Sequence, residues 1–103
     1  MAFEHLRDSL TKGNLWIYIL KELKKETATP AQLRRRVYDE HGFAPATITF
    51  YSVIYKLTRE GLVRRTSTAF RSEYELTEKG KAELAKAHEL LSRVERQIRE
   101  DSQ

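Results

Sequence analysis

Between positions 47 and 59 the chain carries Thr47, Thr49, Ser52, Tyr51, Tyr55, Lys56 and Arg59. Short hydroxyls both donate and accept hydrogen bonds, tyrosines offer a flat ring ending in a hydroxyl, and the two cations are fixed charges. This is chemistry for holding a hydrogen-bonding, negatively charged surface rather than for making or breaking bonds. Arg34, Arg35 and Arg36 precede the cluster, and Arg64, Arg65 and Arg71 follow it. Plainer readings stand beside this one. An arginine triplet on an amphipathic helix is usually a solvated face, and Tyr55 could cap the core. If Arg64 and Arg65 lie on a strand they point to opposite sides, so one could pair with Glu73 or Glu75.

Catalytic constellations are missing from the sequence. His5, His41 and His88 stand apart, with no histidine or carboxylate spacing of the kind that builds a metal site. There is no cysteine, hence no thiolate ligand and no disulfide framework. No glycine-rich phosphate loop and no nucleophile elbow occurs. The expectation is a non-enzyme with no metal and no cofactor.

Charge is distributed unevenly. Residues 1–29 hold five basic and four acidic side chains, residues 30–76 eight and five, and residues 77–103 six of each. The overall +4 is therefore concentrated in the middle, where the hydroxyls lie. A local basic excess is the footprint of a polyanionic partner, though weak evidence alone. The 103 residues, 40% hydrophobic, suit one modest core. No apolar run approaches the ~20 residues that span a bilayer, and the N-terminus lacks a secretory layout. The expectation is an intracellular protein without a membrane partner.

The elements that must position these groups follow from periodicity. Phe3, Leu6 and Leu10 predict a short amphipathic helix before Gly13. Asn14 is placed to cap a second helix through about Lys25, buried by Leu15, Trp16, Ile19, Leu20 and Leu23. Thr29 and Pro30 start a third helix, which runs to about His41 and stops at Gly42. A fourth begins near Pro45 to Thr47 and continues through Glu60, burying Phe50, Val53, Ile54 and Leu57. Its opposite side carries Ile48, Ser52, Tyr55 and Arg59, where a plain solvated helix would carry Glu and Lys. The period then changes to that of strands over Leu62–Ser67 and Glu73–Leu76, with a loop around Thr68 to Ser72. Thr77 can cap a last helix reaching roughly Arg99, beyond which Asp101 to Gln103 should fray.

This order predicts a mainly α fold with a small β-hairpin (α+β), a winged helix-turn-helix followed by a long C-terminal helix. Three parts are expected: an N-terminal helix over 1–12, the winged helix-turn-helix over 13–76, and a dimerisation helix over 77–103. Leu84, Ala87, Leu91, Val94 and Ile98 repeat at three and four residues, an a/d seam on the last helix. With the core already served by three helices, its distal half has little of its own chain to cover. We expect a homodimer through this seam, joined by Phe3, Leu6 and Leu10.

In such a fold the second helix of the pair enters the major groove of a duplex. The expected function is sequence-specific binding of double-stranded DNA by a transcriptional regulator, of repressor type, acting in the cytoplasm on the nucleoid. Helix 47–60 would read bases and wing 63–76 would touch flanking DNA. The expected contact set is Arg34, Arg35, Thr47, Thr49, Tyr51, Ser52, Tyr55, Lys56, Arg59, Arg64, Arg65 and Arg71. The alternative is a winged-helix module that binds protein or serves an architectural chromatin role, for which exposed Ile48, Tyr51 and Tyr55 would also suit.

The sequence resembles the PadR family of winged-helix repressors. The likeness is carried by Thr49-Phe50-Tyr51, Ile54, Leu57 and Gly61-Leu62-Val63, and by Tyr74-Glu75-Leu76-Thr77-Glu78-Lys79-Gly80 at the junction of wing and last helix. It departs at Thr29-Pro30-Ala31, where the family usually has His-Gly-Tyr, which marks a divergent member. The resemblance implies a dimeric transcriptional repressor paired through its last helix, with Thr49 and Tyr51 near DNA. Some relatives bind planar aromatic effectors near the dimer interface; nothing in this sequence assigns an effector.

Overall fold

A computed structural model describes residues 1–67 and 71–101. In chain order the elements are α1 (Ala2–Leu10), α2 (Leu15–Lys25), α3 (Pro30–His41), α4 (Thr47–Arg59), β1 (Val63–Ser67), β2 (Ser72–Leu76) and α5 (Glu78–Asp101). A single 3-10 turn, Lys12–Asn14, joins the first two helices. The tip of the expected loop and the last two residues lie outside the described residues.

The core is a three-helix cluster closed by the hairpin. Leu15, Ile19, Leu20 and Leu23 of α2 meet Leu33 and Val37 of α3 and Phe50, Ile54 and Leu57 of α4, with Leu62 and Val63 below them. Each helix contributes residues spaced three or four apart, which places them on one face. Val53 is only half-buried at the margin.

Local signals set the helix ends. Thr29 Oγ1 accepts from the Gln32 amide at 3.2 Å, and Gln32 Oε1 accepts from the Thr29 amide at 3.0 Å, a reciprocal cap with Pro30 in the first turn. Gly42 ends α3 in the left-handed region at φ 75°, where a side chain would be strained. Thr29→Ala should cost about 1 kcal/mol, and Thr29→Ser should keep most of it. Urea melts that do not distinguish Thr29→Ala from the parent would remove this cap from the account.

Asn14 behaves otherwise than expected. It holds the N-cap position of α2, but its side chain makes no cap bond. Its amide donates instead to the Ser9 carbonyl, and its oxygen accepts from Trp16 Nε1 at 3.3 Å. Tyr18 also donates to the Leu10 carbonyl. These bonds fix the end of α1 against α2, while no residue of α1 is buried.

The hairpin pairs Val63 with Leu76 and Arg65 with Tyr74, antiparallel throughout. A third short segment joins it. The Ala28 amide donates to the Tyr74 carbonyl at 3.2 Å, and the Ala28 carbonyl accepts in return from the Tyr74 amide at 2.8 Å. Ala28 is fully buried, so the linker between α2 and α3 is part of the sheet rather than a free connection.

α5 is anchored at one end. Thr77 Oγ1 accepts from the Gly80 amide at 3.0 Å and donates to the Gly61 carbonyl at 2.6 Å. Gly80 is buried beside Leu62. Leu84 packs on this chain's own core. A helix of 24 residues is about 36 Å long, so its distal half runs beyond the core of a molecule 57 Å long and 28 Å across.

Candidate nucleic-acid interface

The face of α4 that the periodicity turns away from the core is open to solvent. Ile48 is 84% exposed, Tyr55 64% and Tyr51 49%. Thr47, Thr49, Ser52, Lys56 and Arg59 are exposed beside them. The Arg59 guanidinium stacks over the Tyr55 ring at 5.7 Å, which orders two long side chains on the surface. A shallow depression of about 550 Å³ runs along Ile48, Tyr51, Ser52, Tyr55 and Lys56. Three core residues on the other side, Phe50, Ile54 and Leu57, hold this face rigidly outward.

The arginine triplet separates into three roles. Arg34 Nε donates to the Pro45 carbonyl at 3.0 Å, tying α3 to the turn before α4. Arg36 pairs with Glu26 at 2.7 Å. Arg35 is exposed, with a long 3.9 Å pairing to Asp39. Arg34, Arg35, Tyr38, Thr47 and Tyr51 surround a second concavity of about 520 Å³ at the start of α4. Tyr38 did not emerge from the sequence reading. Its position four residues after Arg34 on an exposed face was the available signal.

The hairpin cations are partly engaged. Arg64 faces Glu75 across the strands and pairs with it, with Nε at 2.7 Å from Oε1. Arg65 donates to Ser72 Oγ at 2.6 Å. Arg71 is exposed, with Glu73 at 3.9 Å. Exposed pairs of this kind are worth little, about 0–1 kcal/mol, so a stronger anion can take the cation over.

A separate apolar face lies along α1 and α5. Phe3 is 68% exposed, and Leu6 and Leu10 are exposed with it. On α5 Ile98 is 63% exposed and Leu91, Val94 and Leu90 are also open, while Ala87 is half-buried. Leu90 was absent from the expected seam; it widens the stripe by one flank. Leu84, expected at the same seam, is the residue that passes from it into the core.

One polar cluster stands apart from both faces. Glu22 of α2 is buried and faces His41 at 3.3 Å. Lys25 bonds Glu40 at 2.6 Å; that bond holds the Glu40 carboxyl below the usual range and raises the Lys25 ammonium.

No protein-family model matches the chain, and no curated protein matches it by sequence. Solved structures do. A transcriptional regulator from Clostridium thermocellum superposes with a TM-score of 0.80 at 16% identity, over 89% of this chain and 93% of that one. A PadR-like transcription factor from Bacteroides fragilis gives 0.73 at 20% identity, over 91% and 95%. Bacillus subtilis PadR, solved in complex with operator DNA, gives 0.61 at 28% identity, over 76% of this chain and 46% of its own. The chain has the PadR-like winged-helix fold. Within this PadR-like frame α3 and α4 form the helix-turn-helix, β1 and β2 form the wing, and α5 is the long terminal helix. Among the described residues, no helix is long and apolar enough to cross a membrane.

Proposed function

We propose that this PadR-like chain is a transcriptional regulator of repressor type that binds double-stranded DNA sequence-specifically as a homodimer. The observation that carries the reading is the outer face of α4, where hydroxyls, two tyrosines and two cations stand exposed on a helix whose other side is locked in the core. Thr47, Thr49, Tyr51, Ser52 and Tyr55 would meet base edges and sugars in the major groove. Lys56, Arg59 and Arg35 would meet phosphates, with Arg64, Arg65 and Arg71 of the wing over flanking DNA. Arg34 would act by holding the turn into α4. The complex of Bacillus subtilis PadR with operator DNA supports DNA as the partner.

The division of labour we propose is an N-terminal arm over 1–12, a reading unit over 13–76 and a pairing helix over 77–103. The bonds from Asn14 and Tyr18 tether the end of α1 to α2, and Phe3, Leu6 and Leu10 stand exposed, available to a second copy. Burial of Leu91, Val94 and Ile98 would contribute about 1.5–3 kcal/mol per side chain. Two-fold pairing would set two α4 helices about one helical turn of DNA apart, near 34 Å. The site of action would be the nucleoid in the cytoplasm, and the role regulatory rather than catalytic.

The second reading is a protein-binding or architectural module, favoured by the exposure of Ile48. Salt separates the two. Binding through phosphates should weaken with a log-log slope near −0.9 per neutralised phosphate. Lys56→Ala should lower affinity for duplex DNA and flatten that slope by about one, and Arg71→Ala should also lower affinity. Gel-shift titrations at several salt concentrations measure both quantities. A flat salt response, or unchanged affinity in both variants, would favour the second reading.

A further inference from the structure

We propose that Glu22, Glu40 and His41 form a binding site for a divalent transition-metal ion of the zinc type, clamping α2 to the end of α3. The three side chains come from two helices, and one donor atom from each lies within 4.8 Å of the others. Imidazole and carboxylate oxygen together suit zinc and its neighbours, whose bonds are about 2.0–2.2 Å. Glu40 is exposed and can close the remaining gap by rotation.

Two further observations point to a cation here. The Glu22 side chain is 1% exposed, yet its Oε1 has no hydrogen-bond partner among the described residues. Its nearest cation, the Lys25 ammonium, is at ion-pair distance but too far for a hydrogen bond, and a metal ion would satisfy this buried oxygen more closely. Second, the place between the two carboxylates already draws positive charge. Lys25 Nζ lies 2.6 Å from Glu40 Oε1 and 3.6 Å from Glu22 Oε1. Lys21 Nζ lies 3.5 Å from Glu40 Oε2 and 3.8 Å from Glu22 Oε2.

These lysines are the ion's competitors. Both are about half-exposed, so each ammonium can turn to water while its stem stays in place. A divalent ion puts two charges at one point and also takes the His41 nitrogen, which an ammonium holds only at 3.5 Å. The His41 ring is kept in place by the edge of Tyr18, with centroids 4.7 Å apart. Gly42 follows directly and turns the chain toward α4, so the clamp would fix the approach to the reading helix.

The test is titration of the full chain with Co²⁺ and Zn²⁺, followed by calorimetry, cobalt d–d absorption and histidine ring nitrogen shifts. One ion per chain is expected, with His41 shifted and His5 and His88 unmoved. His41→Gln should weaken binding at least about tenfold, and Glu22→Gln likewise. Lys25→Met removes the competing charge and should tighten binding by about tenfold. His41→Gln changes a partly exposed group at a helix end, so it keeps the test decisive if Glu22→Gln fails to fold. No binding, a shift at His5 or His88 instead, or an affinity unchanged in His41→Gln or Lys25→Met would overturn the site.

Discussion

Gly80→Ala should destabilise the fold by about 2–3 kcal/mol, a fall of roughly 10–20 °C in Tm. Helix propensity predicts the opposite sign, since alanine is better than glycine by ~1 kcal/mol in a helix interior. Packing decides. A Cβ at Gly80 would stand 2.1 Å from the Leu62 carbonyl oxygen and 2.5 Å from Leu76 Cδ1. The first of these is backbone, and the same carbonyl accepts from the Thr77 amide at 3.1 Å. It cannot move without loosening the junction of hairpin and last helix. Relief therefore requires α5 to lift off Leu62, which is buried in the core. Calorimetry of the variant tests this directly. A Gly80→Ala protein as stable as the parent would mean that α5 does not sit this close to the hairpin.

On the proposed pairing through α5, Leu91→Glu should give monomers while leaving each monomer folded, because the distal half of α5 stands clear of the core. Leu91 is near the centre of the exposed stripe that runs from Ala87 through Val94 to Ile98. A carboxylate there would have to be buried without a partner if the chains paired. Loss of pairing removes the second reading head, and affinity for a two-half-site operator should fall by about 10²–10⁴-fold. Sedimentation and gel shift read the two effects, and far-UV circular dichroism checks the fold. A variant that stays dimeric would move the interface elsewhere on the molecule. A parent protein that is already monomeric would remove the dimer from the proposed function.

The sequence is informative where local rules and burial agree. Thr29-Pro30 and Gly42 bracket α3 because a cap, a preset φ and a left-handed stop are all properties of one or two residues. The buried side of α4 is readable from Phe50, Ile54 and Leu57 at helical spacing, and that spacing also places Tyr51, Tyr55 and Ile48 outward. What was not readable depends on partners distant in sequence. Ala28 is a small residue in an unremarkable linker; only the chain path brings it against Tyr74. Arg34, Arg35 and Arg36 are identical by type, yet Pro45, Asp39 and Glu26 give each a different role. Glu22 sits among the lysines of α2 like any solvated charge. Its burial follows from α3 crossing above it, and its nearness to His41 from the same crossing.

The paired bonds between Ala28 and Tyr74 have a mechanical consequence. Thr29, the next residue, starts α3, so the hairpin and the helix-turn-helix share a rivet. Tilting the wing would pull on the first turn of α3 and, through Arg34 and Pro45, on the entry to α4. The distance from wing to α4 is therefore built in before any partner arrives. On the proposed function, a duplex would have to fit that fixed gauge or bend to meet it.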